Sequence, residues 1–176
     1  MSSPIPASVF RAIDIAIREL GVHEATGKND GIPAKRYMRG DELAWCAGFV
    51  LFCNEESDDQ DVTPTDWAYY AQRSVKTMMK HFQDNGAFIS AKMHGFTPMR
   101  NDIIFFGHTA SDVGVVGSHV GLVEFVKDGW VHTIEGNTSN MVARRKYKLT
   151  DKSVIGYGRV ELMPVGIDVA KPAKKK

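Results

Sequence analysis

Up to about Gly86 the apolar residues of this chain recur every three or four positions, and beyond it they alternate as in extended strands. That change of period constrains the fold more than any other feature. Phe10, Ile13, Ile17 and Leu20 predict a first helix capped by Ser8 and stopped by Gly21. Trp45 to Asn54 predicts a second. Thr63-Pro64-Thr65-Asp66 opens a third, striped by Trp67, Ala71, Val75, Met78 and Phe82. The β-rich runs are Ile103–Phe106, His119–Val126, Trp130–Glu135, Met141–Lys148 and Val154–Glu161, separated by turn residues. Helices first and strands afterwards predict an α+β fold, N-terminal helices packed on a C-terminal antiparallel sheet. Gly21 to Gly40, with four glycines and a proline, reads as a long ordered loop, and the acidic run Glu55 to Asp61 as an exposed one.

With 176 residues and 43% hydrophobic content the chain suits one domain with a single core. The expected division is a catalytic unit over residues 1–165 and a basic, flexible tail over 166–176. Four lysines in the last six positions account for the basic balance: without them 22 basic residues become 18, against 21 acidic. A mildly acidic body with a basic end argues against nucleic acid as a partner. No apolar run reaches the ~18 residues of a membrane span, so a soluble monomer without membrane insertion is expected. The first residues show no export signal, which implies synthesis in the cytoplasm.

The two cysteines, Cys46 and Cys53, are seven residues apart on one predicted helix, about 10 Å, beyond the ~7 Å reach of a disulfide. Both are read as free thiols. Cys46 opens the helix, where unpaired N–H groups and the helix dipole favour a thiolate, whereas Cys53 lies two turns deeper as core. A nucleophilic thiol needs a base, and His119 is the best placed of six histidines because it opens a strand. Glu135 and Asn137, at the end of the next strand, are polar groups able to orient its ring. A two-residue turn at Asp128-Gly129 puts His119 and Glu135 on opposite faces of the sheet. A three-residue Lys127-Asp128-Gly129 loop instead sets His119 opposite Asn137 and diagonal to Glu135 on one face. A catalytic group requires the latter, which also places His132 opposite Glu124.

The blocks Glu19-Leu20-Gly21-Val22 with Glu24, Trp45-Cys46-Ala47-Gly48-Phe49-Val50, Asp102-Ile103-Ile104, His119-Val120-Gly121-Leu122-Val123 and Ile134-Glu135-Gly136-Asn137 follow one another in this order. Over roughly Ile13 to Tyr157 the chain resembles the cysteine, histidine-dependent amidohydrolase/peptidase (CHAP) domains, papain-like enzymes that cut peptidoglycan. The resemblance implies Cys46 as nucleophile, His119 as general base and then acid, Glu135 as the group orienting His119, and Asn137 as a supporting polar residue. As a base, His119 predicts activity that falls on its protonation. The Cys46 backbone N–H is the expected oxyanion donor. Tyr37 is the candidate to complete that hole, and Trp45 and Tyr37 are the expected substrate contacts. Asn29, Asp30, Asp41 and Glu42 precede the thiol without the spacing of an EF-hand, so no metal or cofactor is expected.

The implied activity is hydrolysis of a peptidoglycan amide, by an N-acetylmuramoyl-L-alanine amidase or a stem or cross-bridge endopeptidase. The setting is a phage endolysin released by a holin or an antibacterial effector delivered by a secretion machine, acting on the cell wall. The alternatives are a cytoplasmic amidase of a small peptide conjugate and a non-catalytic binding module of the same fold.

Overall fold

The computed structural model describes residues 11–57, 73–110 and 114–163. Its elements run α1 (Arg11–Arg18), α2 (Ile32–Tyr37), α3 (Cys46–Glu56), α4 (Val75–Asp84), β1 (Phe88–Ser90), β2 (Ile103–Ala110), β3 (Gly114–Lys127), β4 (Trp130–Thr138), β5 (Met141–Lys148), β6 (Val154–Gly158) and a 3-10 turn at Val160–Leu162. The fold is α+β, as the change of period implies. Ser8, Phe10, Thr63 to Asp66, Trp67, Ala71 and the lysine tail lie outside the described residues.

The helix α3 is buried almost all round, from Cys46 through Leu51 and on to Cys53 and Asn54. A helix apolar on every side belongs at the centre of a fold. Here α1 covers it with Ala12, Ile13 and Ala16, and Val120, Leu122 and Ile134 of the sheet close the other side. Met78 and Phe82 of α4 enter the same core, as their spacing predicts. The predicted loop from Gly21 to Gly40 contains the short helix α2, with Pro33 in its first turn. A proline there forfeits only an N–H that has no helical partner, so the breaker is compatible with a start.

The six strands lie in the order β1-β6-β2-β3-β4-β5, every neighbouring pair antiparallel. A second cluster, including Ile104, Phe106, Val123, Val131, Val154 and Tyr157, packs apart from the helical core. The β3–β4 hairpin corrects the expected loop. Asp128 and Gly129 both have positive φ (50° and 78°) and form a two-residue turn that pairs Lys127 with Trp130. Such turns match the twist of the strands, and Asp-Gly tolerates their left-handed backbone. The register is then restored by a bulge between Val123 and Phe125, beyond which Leu122 faces Ile134. His119 and Glu135 meet on one face, as required, through a bulge rather than a longer loop.

The bulge also overturns the expected His132–Glu124 pair. His132 faces Phe125 and stacks on its ring, with centroids 4.2 Å apart and planes 19° from parallel. Glu124 instead takes a bidentate pair of hydrogen bonds from Arg144, at 2.9 and 2.8 Å.

Candidate active site

Cys46 is the first residue of α3, with Trp45 at the N-cap and no side chain capping the helix. The N–H groups of that first turn have no partner within the helix and point outward beside the thiol. Cys46 is nearly buried at 7% exposure. Its thiol is close enough to the ring of His119 to perturb it electrostatically, and that ring projects from β3 opposite Phe106.

The ring's Nε2 lies 2.9 Å from Glu135 Oε2. Glu135, 1% exposed, also accepts hydrogen bonds from Thr133 Oγ1 at 2.5 Å and from the Tyr147 hydroxyl at 3.2 Å. Gly121 makes room for that carboxylate: a Cβ there would lie 2.5 Å from Glu135 Cγ. Thr133 shares Glu135's face through the two-residue period of β4, whereas Tyr147 is brought in by the β4–β5 register, which pairs it with Val131. Neither was singled out from the sequence. Thr133 was visible in principle from strand periodicity; Tyr147 required the pairing of a further strand.

Burial works to lower the His119 pKa, but the interactions with Cys46 and Glu135 and the charges of both outweigh it and raise the value to about 9. Cys53 is fully buried, and burial pushes its thiol well above the ordinary range. Both cysteines are free, and the second is inert core as expected.

The remaining expected site residues lie elsewhere. Trp45 is fully buried and its indole N–H donates to Glu24 Oε1 at 2.8 Å. Tyr37, 3% exposed, donates its hydroxyl to Glu19 at 2.5 Å and packs against Trp45, Phe49 and Phe52. Neither side chain offers a surface to substrate, so both support α3 from within the core. Their apolar bulk, the same property that suggested ligand contact, is what buries them.

Asn137 has a positive φ of 55° in a second bulge, between Glu135 and Thr138. Its amide turns away from the imidazole toward Asn29, Glu24 and the Trp45 backbone. Two of the acidic residues upstream of the thiol have partners of their own, and Asp41 lies 3.0 Å from Arg73. Asp30 accepts from the Thr26 N–H and hydroxyl, and Glu24 from the Asn29 N–H. No group of three or more His, Cys, Asp or Glu able to hold a metal ion occurs among the described residues. No described helix is long and apolar enough to cross a membrane.

A thiol at a helix N-terminus, beside an imidazole that a buried carboxylate holds, is a candidate cysteine site on an α+β scaffold. The family model for the CHAP domain matches residues 38–137, and the chain belongs to that family of amidohydrolases and peptidases. No curated protein matches the chain. Among solved structures it is similar to the crystal structure of Ly7917, at 18% identity and a TM-score of 0.50, over 85% of this chain and 60% of that one. A further structure of Ly7917, with "the hydrolyzing product of MDP", aligns at 16% identity and a TM-score of 0.48 over 85% and 61%. The chain thus spans about three-fifths of the length of these structures.

Proposed function

We propose that this chain is a peptidoglycan hydrolase that cuts an amide bond through an acyl-enzyme on Cys46. The observation that carries the reading is the His119 ring, held by the buried Glu135 at 2.9 Å and coupled to the Cys46 thiol at the start of α3, in a member of the CHAP family. The Cys46 thiolate attacks the amide carbonyl, forming a C–S bond, and the oxyanion is met by the Cys46 backbone N–H. The His119 imidazolium gives its proton to the departing nitrogen as the C–N bond breaks, releasing an amine and leaving a thioester. Neutral His119 then takes a proton from water as the hydroxide adds. Cleavage of the C–S bond releases a carboxylic acid and restores thiolate and imidazolium. Glu135 orients the ring and stabilises its positive form, and Asn137 supports the site from the loop side.

The substrate reading takes in either the sugar-to-peptide amide or a bond in the stem or cross-bridge peptide, cut by a phage endolysin or an antibacterial effector. It is tested by digesting purified Gram-negative and Gram-positive peptidoglycan with the wild type and Cys46→Ala, and identifying the released fragments by mass spectrometry. Fragments appearing only with the wild type name the bond. Their absence from both walls, with a folded enzyme that cleaves a soluble peptide conjugate, would overturn the reading in favour of a small-conjugate amidase.

A further inference from the structure

Glu24 is 5% exposed, and the groups that face its carboxylate are N–H donors of three separate segments. Oε1 accepts from the Trp45 indole at 2.8 Å and Oε2 from the Asn29 backbone N–H at 2.9 Å. The third donor follows from the polarity of the network. The Asn137 amide lies between Glu24 Oε1 and the Trp45 backbone N–H, and only one orientation satisfies both. Its nitrogen donates to Glu24 at 3.3 Å and its oxygen accepts from Trp45 N–H at 3.2 Å, and the Asn29 amide, 3.1 Å from that oxygen, must turn its nitrogen toward it. A carboxylate, which only accepts, therefore dictates which way Asn137 points.

The backbone that carries Glu24 is fixed by other means. Gly21 N–H bonds to Val142 O, Val142 N–H to Val22 O and Glu24 N–H to Asn140 O, at 2.9, 2.8 and 3.0 Å, so the segment is stitched to the start of β5. From that anchor the side chain holds the indole of Trp45 directly and its backbone N–H through Asn137. Trp45 is the N-cap residue whose peptide bond leads into Cys46. His119, by contrast, is set by β3 and Glu135, with no contact to Glu24 in this network.

We infer that Glu24 is a positioning residue, which clamps the Trp45–Cys46 turn against β4 and so holds the thiol in register with His119. The inference rests on the cysteine mechanism above and adds to it a residue that touches neither substrate nor the reacting atoms. Gln at this position keeps the shape but presents an NH₂ to one of the N–H donors, and it no longer dictates the orientation of Asn137. A thiol freed to drift by a fraction of an ångström from its base loses rate in the bond-making step, not substrate affinity. A misplacement of about 1 Å costs on the order of 10²-fold.

The test compares wild type, Glu24→Gln, Trp45→Phe and the double variant. Each is measured for iodoacetamide alkylation of Cys46 at neutral pH, by peptide mass spectrometry, and for kcat and KM on solubilised peptidoglycan. Glu24→Gln is expected to fold, to lower the alkylation rate and kcat together by about 10-fold or more, and to leave KM unchanged. The double variant should lose no more than the worse single one, because Glu24 acts through Trp45. A folded Glu24→Gln with wild-type alkylation and kcat, an effect on KM alone, or additive losses would overturn the inference. If Glu24→Gln fails to fold, Trp45→Phe decides: slowed alkylation supports the clamp and a wild-type rate refutes it. Alkylation needs no wall polymer, so failure of the substrate reading shows separately, as a wild type that releases no wall fragments while its thiol still depends on Glu24.

Discussion

A His119 pKa near 9 reverses the pH dependence expected of a neutral base. The folded value lies above the ordinary 6.5, so the imidazolium is the resting form at neutral pH and is lost as pH rises through about 9. Its contribution to folding stability has the same sign, complete below the ordinary value and gone above about 9. In the proposed mechanism the proton that the leaving amine needs is then already on the ring, and activity is expected to fall on the alkaline side instead of on protonation near 6.5. The pH profile of kcat/KM should therefore show its alkaline limb near 9. Glu135→Gln removes the anion that stabilises the imidazolium. It should move that limb to lower pH and reduce kcat by about 10²- to 10⁴-fold. Thr133→Val keeps the volume but leaves Glu135 Oε1 without its 2.5 Å donor. A buried acceptor left short costs about 1–3 kcal/mol, measurable as a lower midpoint in thermal or urea unfolding.

The elements show which parts of this site a sequence carries. The periods of α4 and β5 were legible because apolar spacing encodes which face is buried, α3 because its apolar run is continuous, and Met141–Lys148 appears with the bounds its alternation gives. The thiol–imidazole–carboxylate set was legible through the ordered motif blocks that resemble CHAP domains, since a lone thiol or imidazole is more often a packing residue. The bulge at Glu124 was not, since a bulge is chosen by sheet twist and by partners such as Arg144, remote in sequence. Nor were the burial of Trp45 and Tyr37 or the turning of Asn137 toward Glu24, which depend on how α3 lies against β4. That contact has a direct test at Gly136, where a Cβ would lie 2.5 Å from Phe49 Cβ and 2.9 Å from the Trp45 ring. Gly136→Ala should force α3 away from β4, destabilise the fold by about 1–3 kcal/mol and lower activity together with the unfolding midpoint.

Across the whole molecule the site lies where its two apolar clusters meet. Cys46 belongs to the helical core, and His119 stands beside Phe106 of the second cluster, ring centroids 5.7 Å apart. The scaffold thus sets the thiol-to-base distance by packing a helix on a sheet. Dialysis against a chelator is accordingly expected to leave activity unchanged, because the acidic side chains Glu24 and Asp30 are already held by N–H and O–H donors. A loss of activity restored by added calcium would contradict that assignment.

The measurement closest to the central claim is the pH dependence of Cys46 alkylation by iodoacetamide, followed by peptide mass spectrometry, in the wild type and in His119→Ala. The wild type should react readily at neutral pH, at Cys46 and not at Cys53. His119→Ala should behave as an ordinary thiol, reacting only as pH approaches about 8.5. Identical profiles for the two proteins, or reaction at Cys53 first, would contradict a thiol activated by His119.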